Sequence, residues 1–146
     1  DPMSGVGGMN HFLLPGDADD HFVSEGARYG VNAMEQLING VLKAGAQRER
    51  LEVKVFGGGN VTKSSAKIGS KNAAFVREYL HHEGLPIHAE DLEGNLPRRL
   101  HYFPDTGKVL LRKLQRSEDM AVVAEEATYE KEIKQHVDDS NVELFR

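Results

Sequence analysis

The sequence predicts an α+β fold in which helices pack on one side of a layered sheet. Three observations carry that expectation. Val31, Met34, Leu37, Ile38, Val41 and Leu42 recur at three- and four-residue spacing, the stripe of an amphipathic helix. Leu51, Val53 and Val55 alternate with Glu52, Lys54 and Phe56, the period of a strand buried on at least one face. Leu100 to Phe103 and Val109 to Leu111 flank Pro104-Asp105-Thr106-Gly107, which is hairpin-turn chemistry. Strands and helices mix without clean alternation, which favours the layered class.

Taken in order, the first apolar stretch runs from Val6 to Leu14 and reads as a strand stopped by Pro15-Gly16-Asp17. A period of two puts Met9, His11 and Leu13 on one face and Asn10, Phe12 and Leu14 on the other. Gly16 to Glu25 is polar and acidic, an exposed loop. The first helix spans Tyr29 to Ala44, with Gly45 as its stop. The strand Leu51–Phe56 ends at Gly57-Gly58-Gly59. A polar loop leads to Ser70, placed to N-cap a helix over Asn72–His82 that buries Phe75, Val76, Tyr79 and Leu80. Gly84 closes that helix. Leu85–Leu92 is another strand, interrupted at its start by Pro86. The hairpin follows, its ends made basic by Arg98, Arg99, Lys108, Arg112 and Lys113. Met120–Gln135 is a helix or extended tail, and Val142-Glu143-Leu144-Phe145 is a short apolar cluster able to dock on the body.

The bulk numbers exclude several classes. A length of 146 residues with 39% hydrophobic content suits one domain with a single core. No apolar run approaches the ~20 residues of a membrane helix, so membrane insertion is not expected. The absence of cysteine removes disulfides, thiolate zinc sites and a thiol nucleophile from these residues, and favours the cytoplasm. Ser117 to Arg146 carries nine acidic and three basic residues, a net of −6 against −5 for the chain, which leaves the rest close to +1. A nearly neutral body with an acidic extension is a poor nucleic-acid binder, and the extension reads as a solvated helix face.

Candidate sites divide sharply in quality. Gly57-Gly58-Gly59 is followed by no Gly-Lys-Ser/Thr and contains no GxGxxG, so it reads as tight backbone geometry or close approach of a neighbour rather than a phosphate cradle. Of the seven histidines, His81 and His82 would point about 100° apart on a helix. No HExxH or HxH spacing occurs, so they read as surface groups, and His88 and His101 as packing or surface residues. His11 sits mid-strand after a glycine pair. Spacing alone makes it a half-buried structural histidine. It could serve as a base only with a nucleophile in hydrogen-bond reach, and nothing singles out Thr62, Ser64 or Ser65 for that part.

The run Gly7-Gly8-Met9-Asn10-His11-Phe12-Leu13-Leu14-Pro15 resembles the histidine strand of the CheD family of chemoreceptor glutamine deamidases. Arg28-Tyr29-Gly30 with Ala33-Met34 and Leu37-Ile38 resembles that family's first long helix. Leu51 to Gly59 resembles its strand and glycine turn, and Ile68-Gly69 with Asn72 and Phe75-Val76 its next helix. Asp91-Leu92, Gly94, Arg98-Arg99 and Thr106-Gly107-Lys108-Val109 resemble the closing hairpin. Val142 to Phe145 is similar to the tail of longer proteobacterial members.

The resemblance implies a three-layer α/β/β sandwich with two main helices on one side, spanning residues 1–116, and an acidic C-terminal extension over 117–146. It implies hydrolysis of glutamine side chains on methyl-accepting chemotaxis receptors to glutamate and ammonia, by a cysteine, a histidine and a threonine, without metal or organic cofactor. Only the histidine maps onto this chain, at His11. In the family the other two lie upstream, in a strand ending near an Asp-Pro, and this sequence opens with Asp1-Pro2. The expectation is therefore a chain that lacks its nucleophile and is inactive alone, with a missing-strand gap or an edge that dimerises. The alternative is a non-catalytic adaptor that binds receptors or a CheC-type phosphatase.

Overall fold

The structure is a computed structural model that describes residues 1–14, 25–61, 67–115 and 124–133. Helix α1 spans Glu25–Lys43, and a short 3-10 turn at Arg48–Arg50 leads to β1, Val53–Gly57. Helix α2, Ile68–His82, carries the chain back to β2, Ile87–Leu92. Strands β3, Arg98–Phe103, and β4, Lys108–Lys113, form the hairpin, and residues 124–133 are a third helix, α3.

β1 and β2 pair in parallel, from Val53 opposite Ile87 to Gly57 opposite Leu92. β3 and β4 pair antiparallel, with Leu100 opposite Leu111. Parallel strands need a crossover, and α2 supplies it. Met34 and Ile38 of α1, Val76 and Leu80 of α2, Val55 of β1 and Leu85 form the buried core. The neighbouring side chain, Lys54, points away from this core, and its Nζ donates to the Gly107 carbonyl at 2.6 Å. One face of β1 thus meets the helices and the other meets the hairpin, which gives helix, sheet and sheet in that order. The fold is α+β, as the periodicities require.

Both long helices end where their glycines stand. After α1, Ala46 N–H donates to Val41 and Gly45 N–H to Leu42; after α2, Leu85 N–H donates to Leu80 and Gly84 N–H to His81. Each pair of bonds is a Schellman cap, which satisfies carbonyls left over at the helix end. Leu85 is buried beside Leu80, the apolar contact that goes with such caps.

Three local expectations need correction. α1 begins at Glu25, so that residue belongs to the helix and not to the preceding loop. Ser70 does not cap α2: the helix starts at Ile68, its N-cap is Lys67, and Ser70 Oγ instead accepts from Asn60 Nδ2 at 3.3 Å. The early start follows from a close approach. A Cβ on Gly69 would lie 2.5 Å from the carbonyl oxygens of Gly58 and Gly59, so only glycine lets the first turn of α2 rest on the glycine turn. Residues 6–14, read as a strand, join no ladder among the described residues. Their backbone is held by side chains: Leu14 N–H donates to buried Asn72 Oδ1 at 2.9 Å. The Gly16–Glu25 loop (apart from Glu25 itself), the Thr62, Ser64 and Ser65 hydroxyls and the Val142–Phe145 cluster lie outside the described residues. No helix among the described residues is long and apolar enough to cross a membrane.

Candidate functional site

The segment around His11 is fixed from two sides. On the hairpin side, the Tyr102 hydroxyl hydrogen-bonds the backbone of Gly8, and burial of that phenol raises its pKa. On the helix side, a Cβ on Gly8 would come within 2.9 Å of Leu37 and 3.0 Å of Val41, so the backbone runs directly against α1. Asn10 Nδ2 donates to the Ala33 carbonyl at 3.2 Å. Phe12 meets Phe75 of α2 edge-on at 5.6 Å, and Asn72, which holds Leu14, donates in turn to the Ile68 carbonyl at 2.8 Å.

These contacts sort by parity. Asn10, Phe12 and Leu14 face the helices, as the period of two requires, although no strand ladder forms. His11 and Met9 take the opposite face, and the His11 side chain keeps 57% of its surface exposed. His11 is therefore not a half-buried packing residue. Its ring stacks on Tyr129 of α3 at 4.8 Å, and Glu126 Oε1 lies 3.7 Å from its Nε2.

His11 also borders a cavity of about 520 Å³, walled by Leu37, Val41, Val53, Val55, Leu100 and Val109. The cavity lies between α1, β1 and the hairpin. At its N-terminal end stands a second fixed point. The Asp1 carboxylate is fully buried, receives Arg50 Nη2 at 2.7 Å and Nε at 3.0 Å, and also accepts Gln47 N–H at 3.0 Å.

The basic hairpin ends are partly consumed by the fold. The Arg98 side chain is only 6% exposed; its Nε donates to Asp91 at 2.7 Å and its Nη2 to the Glu93 carbonyl at 2.6 Å. Lys113 lies 3.3 Å from the same carboxylate. The Arg98 hydrogen bond, with help from Lys113, holds the Asp91 pKa below its ordinary value. Arg98 thus locks the β2–β3 connection and is not offered to a partner. His82 and His88 lie on the surface near Glu78 and Glu52. Among the described residues no three metal-binding side chains converge.

Comparison with known proteins now decides the family. The model of the family described as CheD, chemotactic sensory transduction, matches residues 13–113. This chain belongs to the CheD family. A Rhodopseudomonas palustris protein named "probable chemoreceptor glutamine deamidase CheD" is 54% identical over 147 residues, which covers 99% of this chain and 69% of that relative. Proteins of the same name from Methylobacillus flagellatus and a Janthinobacterium species are 49% and 51% identical, each over 99% of this chain and 74% and 73% of their own lengths. The CheD family match begins two residues after His11, whereas the alignments to the relatives span nearly the whole chain.

Sequence reasoning singled out His11 but missed what touches it. Tyr129 and Glu126 lie more than a hundred residues away, where no local pattern points back to position 11. Asn10 and Asn72, which aim the segment, entered only within the family likeness, with no role of their own.

Proposed function

We propose that this chain is the body of a chemoreceptor glutamine deamidase in which His11 is the general base. The observation that carries the reading is the placement of His11: an exposed imidazole on a rigidly pinned backbone at the border of an apolar cavity. Membership of CheD, and the names of the relatives, support the reaction class.

The 146 residues contain no cysteine, so the thiol would come from residues outside them, and the resemblance to the family implies the same for its threonine. A segment seated in the cavity would run alongside residues 6–13 and bring its side chains up to His11. The chemistry then follows from general principles. An amide is a poor electrophile, and a thiolate attacks it better than water does. His11 accepts the thiol proton as sulfur bonds to the glutamine Cδ, and returns it to the nitrogen as the C–N bond breaks and ammonia leaves. The resulting thioester is hydrolysed by a water that His11 activates, which releases glutamate and regenerates the thiol. Backbone N–H groups must hold the oxyanion in both steps. The substrate is a glutamine on a receptor of the methyl-accepting class, met in the cytoplasm.

The test is ammonia release from receptor glutamines by protein that carries the family's cysteine segment. His11→Ala should lower turnover at least about a hundredfold, the usual size of a general-base contribution; undiminished turnover removes His11 from the mechanism. The 146-residue chain alone should release none. The absence of cysteine favours a second reading, a non-catalytic adaptor for receptors or a CheC-type phosphatase. Receptor binding without ammonia release, even with the cysteine segment present, would select it.

A further inference from the structure

Helix α3 belongs to the acidic extension, and its inner face converges on one residue of the body. The Tyr129 ring stacks on the His11 imidazole with 19° between the planes. The Tyr129 hydroxyl donates to the His11 carbonyl at 2.8 Å, so one side chain holds both the ring and the backbone of the same residue. Tyr29 of α1 hydrogen-bonds Tyr129 as well, and burial is the main cause that raises the Tyr129 pKa. That phenol is neutral at physiological pH and available as a donor. Glu126, one turn earlier on the same face, approaches Nε2 at 3.7 Å, and Ile133, one turn later, is buried.

A solvated helix face does not account for this. Helical positions 126, 129 and 133 form one stripe, and two of the three meet His11. The contact could hide the histidine or aim it, and the exposure decides between these. With 57% of its side chain open, His11 is braced on one ring face and left accessible on the rest.

We propose that Tyr129 is a positioning residue for His11, and that Glu126 supports it by facing the imidazolium when it forms. At 3.7 Å the carboxylate is too far for a hydrogen bond and acts through charge. The proposal rests on the reading of His11 as the base. It gives the extension a definite part in the reaction: α3 fixes the orientation of a side chain that no other described residue is seen to stack upon.

Two measurements test it. In this chain, the His11 ring-proton resonance should carry the ring-current shift of a stacked tyrosine. Tyr129→Leu should remove that shift and Tyr129→Phe should keep it. In protein carrying the family's cysteine segment, Tyr129→Leu should lower kcat about tenfold with KM little changed, since misplacement of a reacting group is felt in the chemical step. Tyr129→Phe should recover most of that loss. An unchanged resonance in Tyr129→Leu overturns the brace, as does unchanged kcat in a background where His11→Ala abolishes turnover. Turnover that survives His11→Ala is a different failure: it removes the base assignment, while the resonance still reports whether the stack exists.

Discussion

At the scale of single residues, the Asp1–Arg50 pair is a costly position outside the core. The carboxylate is wholly buried, and its charge is met by the guanidinium and by backbone N–H groups. Removal of one partner from such a pair leaves a buried charge, which costs more than the pair itself contributes. Arg50→Ala should therefore destabilise the fold by about 3 kcal/mol, read as a lower denaturant midpoint with an unchanged slope; a loss under half of that would mean water replaces the guanidinium. Leu80, 1% exposed at the centre of the core, should cost about 3 kcal/mol when cut to alanine. His11 shows how far residue-level reading reaches. Spacing alone made it a half-buried structural residue, family likeness made it a candidate base, and only the three-dimensional arrangement showed it exposed and stacked. The signal missed in the sequence was at the other end of the contact, where Glu126, Tyr129 and Ile133 share a helical stripe.

Elements were legible where their pattern is local. The three-four spacing of α1, the alternation of β1 and the Pro-Asp-Thr-Gly turn each describe a face or bend that neighbouring residues determine. The start of α2 was not legible, because it depends on Gly69 meeting Gly58 and Gly59 across a turn. Gly69→Ala should accordingly destabilise by about 2 kcal/mol, the usual cost of overpacking, even though alanine is the better helix former. A neutral or stabilising result in thermal melts would show that the turn can give way. Residues 6–14 show the opposite kind of error: the parity of the faces was right, but among the described residues they join no ladder, and side chains from α2 and β3 hold their backbone. The β2–β3 connection has a pH dependence of known sign. Arg98 and Lys113 lower the Asp91 pKa from 3.8, so this contribution is present above that value and fades as pH falls through the lower, folded pKa. Asp91→Asn should flatten that part of the acid-unfolding curve; an identical curve would mean that the carboxylate is not coupled to stability.

For the whole molecule, layering places the cavity beside His11. The helices secure one face of β1 and the hairpin secures the other only through a few contacts such as Lys54 to Gly107, so an apolar space remains between them with His11 at its border. A peptide carrying the family's cysteine strand should raise the melting temperature of this chain, since a ligand bound only by the folded state stabilises it. No shift at saturating peptide would remove the cavity as its seat. Layering was partly legible, because α+β follows from periodicity, but the cavity was not, since no stretch of sequence describes a space between three elements.

The hydroxyl of Tyr129 reaches the carbonyl of a residue 118 positions earlier in the chain. During synthesis His11 leaves the ribosome long before Tyr129 exists, and chains fold as they emerge, N-terminal part first. The body can thus form around a histidine whose ring is still free to turn. On the proposed reading its orientation is set only when α3 has been made, so a chain stopped short of residue 129 would lack the brace on its base.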